Sequence, residues 1–351
     1  MSRKYILPIL LVVQFIGLKA LAFFPEFVEV NYSNGVYPYI SEISRTLLGW
    51  IPFSVGDILY GVLIVWIIFW LKKHWKTTTR KEKSIAALSL VSVLYFFFHF
   101  LWAFNYYRLP LSEKMNIKKE YSQDQLLNFT KKLIAKTNEI QFQITQDTTK
   151  KVITPFSHRE IFEKSLKGYQ NLSQDYPYFK YKLPSQKESL LSYPLTYMGF
   201  GGYLNPFTNE AQVNNKIPMY NFPATTCHEM AHQLGYGSES ECNFIGFLAS
   251  TQNDDLYFKY SGYTHALRYC LVNIGMKDEV KFKELLTSLH PGVLKNFKES
   301  EEHRKKYKTF IDDIFEVIYD NFLKMNQQKD GMESYSKFVD LLINYYEKKD
   351  L

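Results

Sequence analysis

The chain has 351 residues, a formal net charge of +7 and a mean hydropathy of −0.23. That length accommodates one membrane region and one sizeable folded domain. Three cysteines with no CxxC spacing exclude a disulfide-dense scaffold and a cysteine-type zinc knuckle. Much of the positive charge falls in one short loop, so nucleic-acid binding need not be invoked.

Three strongly apolar segments are each long enough to span a bilayer: about 5–24, 51–71 and 84–104. The first carries Gln14 and Lys19. With Arg3 and Lys4 ahead of it and Ala20-Leu21-Ala22 at its end, it also fits a secretory signal. Its apolar run exceeds a typical signal core, so an uncleaved helix is expected. Residues 72–83 hold six Lys or Arg against one Glu, a net of +5, whereas the segment between the first two spans has only Arg45 as a base. The positive-inside rule then puts the 72–83 loop in the cytoplasm and everything after Arg108 outside. The expected organisation is a membrane region, 1–108, and an extracytoplasmic domain, 109–351. Asp57, near the outer end of the second span, is expected to cap a helix or touch headgroups, with a functional role as the alternative.

Beyond Pro110 the pattern becomes mostly helical. Ser122 with Gln125, and Ser157 with Glu160, are capping boxes that start two helices. Residues 139–152 alternate loosely and predict a short strand or loop. Residues 173–190, with Pro177 and Pro184, read as loop. Gly199, Gly201, Gly202 and Pro206 punctuate short extended pieces, and Ala211 to Asn214 reads as a short strand. Such a strand beside a metal site could pair with an extended substrate through its backbone.

Residues 228–232 read His-Glu-Met-Ala-His. Helical positions four apart share a face, so His228 and His232 can turn both imidazoles toward one zinc ion, with Glu229 beside them as a general base. Pro223 suits the first turn of this helix, and Gly235 suits a left-handed stop just past His232. The chain can then fold back and supply a third ligand. Ser238 with Glu241 makes a capping box, which gives Glu241 a structural task. Glu239 has no such task, and it shares a small, polar face with Cys242, Asn243 and Gly246. Glu239 is therefore the expected third ligand and Glu241 the alternative. Asn243, one turn on, could orient a histidine. A bridge between Cys227 and Cys242 is permitted outside the cell, but Cys242 reads as a small packing residue.

After the site, Tyr260, Tyr263, His265 and Arg268 are candidate oxyanion donors, each with a packing or surface role as the simpler reading. Residues 310–325 place Ile311, Ile314, Phe315, Ile318 and Phe322 on one broad apolar face, and residues 334–346 do the same with Phe338, Leu341, Leu342 and Tyr345. Both predict core helices.

The stretch from Cys227 to Gly235, followed by Glu239-Ser240-Glu241-Cys242-Asn243-Phe244, resembles a zincin-type metallopeptidase. Its Glu-x-x-small-Asn pattern is similar to the third-ligand helix of gluzincin-like membrane peptidases, where the first glutamate, matching Glu239, binds zinc. Cys242 stands where that pattern has alanine, a small-for-small change. Nearly the whole chain resembles a Bacteroidota family of uncharacterised multi-pass membrane proteins, classed as a domain of unknown function. Residues 201–214, residues 52–57 and Ser334-Tyr335 fit it too. The resemblance implies a zinc site and a membrane location.

The expected fold is mainly α. Three transmembrane helices precede a mostly helical, zincin-like α+β domain with a small sheet or edge strand beside the HExxH helix. The expected function is that of a multi-pass, membrane-anchored zinc (Zn2+) metallopeptidase. It would cleave a peptide or protein substrate in the cell envelope, with the lipid bilayer as its other partner and no nucleic acid. A non-peptide amide is a further substrate class. The alternative is a non-catalytic sensor or binding module on the same fold.

Overall fold

The computed structural model describes residues 3–74, 76–118, 120–328 and 335–351. Helix α1 (Ile6–Leu21) follows a single tight turn at Arg3–Tyr5. A wide-turn helical segment (Val28–Val36) and helix α2 (Tyr37–Leu48) lead to α3 (Val55–His74), and α4 (Arg80–Leu101) returns. Among the described residues, three helices are long and apolar enough to cross a membrane: Arg3–Leu21, Val55–His74 and Arg80–Leu101. α1 packs along α4, where Gln14 Nε2 donates to the Ser92 hydroxyl and carbonyl. Helix α2 is amphipathic with Pro38 in its first turn, and it buries Tyr37, Ser41 and Arg45.

α3 starts four residues later than its apolar run because a carboxylate waits there. Glu210 accepts the backbone N–H groups of Val55 and Gly56 at 3.1 and 2.7 Å, satisfying the first amides of the helix. Asp57 accepts from the Ser189 hydroxyl, the Leu190 N–H and the Tyr203 hydroxyl. It therefore ties α3 to the sheet, a more specific duty than capping or headgroup contact.

The folded remainder opens with α5 (Gln123–Thr145) and α6 (His158–Asp175), each started by the expected capping box. Residues 139–145, expected as strand or loop, continue α5 to a left-handed stop at Gln146. The buried positions Leu133, Ile134, Thr137, Ile140 and Gln141 follow the helical period, and the alternation at Ile140 and Phe142 is incidental to it. A three-stranded sheet follows: β1 (Gln186–Glu188), β2 (Gly202–Asn205) and β3 (Glu210–Val213). Their order is β1-β3-β2, with β1 parallel and β2 antiparallel to β3. The strand expected near Ala211 thus forms, but as the buried centre of the sheet, and β2 is the outer strand on the other side.

Helices then dominate: α7 (Phe222–Gln233), α8 (Glu239–Thr251), α9 (Leu256–Gly275), α10 (Glu279–Thr287), α11 (Pro291–Tyr307), α12 (Phe310–Met325) and α13 (Tyr335–Tyr345). α7 and α8 form the centre. α8 is buried along nearly its whole length, and a Cβ on Gly246 would stand 2.9 Å from the His228 backbone nitrogen, so the two helices touch backbone to backbone. α13 buries Phe338, Leu341 and Leu342 as expected, while Ser334, placed at its start by the sequence, lies outside the described residues. α12 departs from expectation. It buries only Leu323 fully, and Ile314 and Ile318 of its apolar face are exposed. Periodicity gives the width of an apolar face but not what covers it.

Contacts cross the 108/109 boundary throughout. Glu29 takes both Arg108 Nε and Nη2 at 2.7 and 2.8 Å and Lys114 Nζ at 3.0 Å, while Arg108 Nη1 donates to the Gly235 carbonyl at 2.8 Å.

Candidate metal centre

α7 carries the histidines on consecutive turns, with Pro223 in its first turn as the sequence predicts. It ends as predicted too, at Gly235 with φ +83°, a value that favours glycine. Its last carbonyls are not left to solvent. Trp102 Nε1 donates to the His232 carbonyl at 3.0 Å, and the Tyr37 hydroxyl to the Gln233 carbonyl at 2.9 Å. Both donors come from the first 108 residues, among the three long apolar helices.

The ring nitrogens divide cleanly. His228 Nδ1 lies 2.9 Å from Asn243 Oδ1, and His232 Nδ1 lies 2.8 Å from the Tyr236 carbonyl. Each acceptor holds a proton on Nδ1 and leaves Nε2 as the lone-pair nitrogen. Both Nε2 atoms face Glu239, His228 at 3.2 Å and His232 at 3.6 Å from its carboxylate oxygens. His228, Glu229 and His232 offer ligand atoms all within 4.8 Å of one another, so the group could hold a metal ion. Asn243 also meets His265 Nε2, at 3.1 Å from the same oxygen, so it is held from both sides. Cys242 lies under His232 with its sulfur 3.2 Å from Nδ1 and from the Tyr236 carbonyl. All three cysteines are free and buried.

Glu239 and Glu241 part company. The capping box expected at Ser238 does not form: the Ser238 hydroxyl accepts no backbone N–H of the helix and pairs instead with the Ser240 hydroxyl. Glu241 turns away and accepts the Leu111 N–H at 2.6 Å. Burial pushes Glu241 up to about 7, against the Leu111 bond and the Arg108 charge. Glu239 faces the histidines. Burial alone would raise it, but His232, His228 and the Tyr319 hydroxyl together hold it near 2.

Glu229 is 3% exposed, and its Oε2 has no hydrogen-bond partner among the described residues. Burial pushes its carboxyl up to about 8, with the Glu239 charge adding to the push and His228 opposing it. A cation held by the neighbouring groups would favour the carboxylate instead. Burial lowers His232 to about 4, which keeps it neutral, the form that ligates metals. His228 also feels burial, but Glu239 and Glu229 outweigh it and raise it.

Two groups at the site were invisible in the sequence. Tyr319, on α12, donates to Glu239 Oε1 at 2.7 Å from eighty positions away. Gly202, on β2, stands where a Cβ would lie 2.6 Å from Glu229 Oε1. Of the four candidate oxyanion donors, Tyr260 is committed to Asn296 and Tyr263 packs on Phe247. His265 meets the site through Asn243 and feels the charge of His228. Arg268 acts electrostatically on His265 and Tyr220.

Residues 32–343 match the family described as protein of unknown function (DUF3810). The chain belongs to this family. The match begins in the helical segment after α1 and ends in α13, so the DUF3810 unit takes in α3, α4 and every residue of the candidate centre. No curated protein and no solved structure matches the chain.

Proposed function

We propose that this DUF3810 member is a membrane-anchored, zinc-dependent hydrolase of zincin-like fold, a metallopeptidase of the HExxH type. The observation that carries the reading is the convergence of His228 Nε2, His232 Nε2 and the Glu239 carboxylate, with both Nδ1 atoms already engaged. Two imidazoles and one carboxylate are a donor set suited to catalytic zinc, and acceptors behind the rings are what such ligands need. The same contacts support the gluzincin-like assignment of Glu239, with Asn243 behind His228.

When bound, zinc supplies Lewis acidity, lowering the pKa of water to about 7 and polarising a carbonyl. The remaining work falls to the chain. Glu229 Oε2, buried and unpaired, takes a proton from a water placed against it and passes it to the leaving amine. β2, an outer strand with Gly202 beside Glu229, offers backbone groups along which an extended peptide can lie. By the positive-inside rule the 72–83 loop is cytoplasmic and the centre extracytoplasmic, at the cell (inner) membrane, where the substrate would be an envelope peptide or protein.

The test compares envelope peptides in cells carrying the parent chain and Glu229→Gln. Peptides that accumulate only with Glu229→Gln, while the purified variant keeps its zinc, are the expected result. Equal processing by both would remove Glu229 from the reaction.

A further inference from the structure

α12 borders the site through Tyr319, and much of its exposed side is apolar. Phe310, Ile314, Val317, Ile318 and Met325 recur at helical spacing on one stripe, with Phe310 72% and Val317 62% exposed. Asp313 and Glu316 occupy a separate strip, Lys324 borders the stripe beside Val317, and Asn321 is the one polar residue within it. That division is the pattern of a helix lying in an interface plane.

The position of the helix says which interface. Phe322 packs on Phe98, ring centroids 6.1 Å apart, and on Tyr106 at 6.2 Å. Phe98 belongs to α4, three residues before its end at Leu101 and therefore about 5 Å inside the apolar span. The next residue after that span, Trp102, bonds to the His232 carbonyl. The same ends of the other spans are ringed by exposed aromatics: Phe23 and Phe24 after α1, Trp50 and Phe53 before α3. Aromatic residues of this kind mark the headgroup level. The inner face of α12 meets the centre through Tyr319 on Glu239, and Gln328 just beyond it accepts the Glu239 N–H.

We propose that α12 lies in the bilayer interface, with its apolar stripe among the lipid acyl chains, so that the metal centre works at the membrane surface. Phe322 seats α12 against Phe98 near the end of the apolar α4, which is why the occupant is lipid. The consequence for substrate rests on the peptidase reading: the cleaved segment is a polypeptide held at the bilayer surface.

The full chain carrying Glu229→Gln is reconstituted in phosphatidylethanolamine–phosphatidylglycerol vesicles with brominated acyl chains. A fluorophore is placed at Ile314→Cys, Ile318→Cys or Glu316→Cys, the native cysteines being buried. Quenching at 314 and 318 at least about twofold stronger than at 316 is expected. Equal quenching at all three overturns the proposal, as does cross-linking between copies at 314 without quenching. In the catalytically intact chain, Ile314→Glu with Ile318→Glu should lower cleavage of a lipid-anchored peptide about tenfold and leave the same free peptide unaffected. An equal loss on both peptides overturns the substrate class. The quenching is read in an inactive variant, so it decides the placement of α12 even where the peptidase reading fails.

Discussion

Glu239 and Glu241 start two residues apart on one helix and end in different chemistry. Glu239 meets both imidazoles, and Glu241 accepts the first N–H of a four-residue helix, Leu111–Lys114. Glu239→Ala should therefore abolish stoichiometric zinc in the purified protein. Glu241→Ala should keep zinc and cost about 1–3 kcal/mol of stability, the penalty for leaving a buried N–H unpaired. Elemental analysis beside thermal unfolding separates the two, and zinc retained in Glu239→Ala would overturn the ligand assignment. Asn243 holds the proton on His228 Nδ1 and is itself braced by His265. Asn243→Ala should weaken zinc affinity about 10–100-fold without removing a ligand, as a chelator competition would read.

At the scale of elements, the site depends on how closely β2 approaches α7. Gly202 lacks the Cβ that would strike Glu229 Oε1 and the Gln212 carbonyl, both at 2.6 Å. Gly202→Ala should displace Glu229 or push β2 off β3, reducing hydrolysis at least about tenfold while zinc content stays at the parent level. Loss of zinc in this variant would mean that the strand supports the ligands, not the base. The same strand is tied to α3 through Tyr203 and Asp57, and β3 through Glu210. The sheet therefore takes its position from α3, which the apolar pattern of that helix does not reveal.

Over the whole molecule, the Glu29–Arg108–Lys114 cluster joins the segment after α1 to the end of α7. Burial raises the Glu29 carboxyl, but Arg108 and Lys114 outweigh it and lower it from 4.5 to about 2. A carboxylate with a lowered folded pKa contributes stability that is fully present above its unfolded pKa. Here that contribution is complete above about pH 4.5 and lost as pH falls toward 2, on the order of 3 kcal/mol in all. The apparent Tm in detergent should fall through this window, and Glu29→Gln should flatten the fall while lowering the Tm at neutral pH. An unchanged acid profile would show that the cluster does not govern acid stability.

What the sequence determined by itself was local or strongly apolar. The HExxH spacing, the Pro223 start and the Gly235 stop are encoded within a dozen residues, because helix geometry is a short-range property. The three apolar spans and two of the three capping boxes were legible for the same reason. The tertiary structure alone decided the rest. It brought Tyr319 onto Glu239 and Gly202 onto Glu229, made the strand at Ala211 central, and left one face of α12 uncovered. Each of these depends on a partner distant in sequence, and neither periodicity nor spacing carries the identity of such a partner.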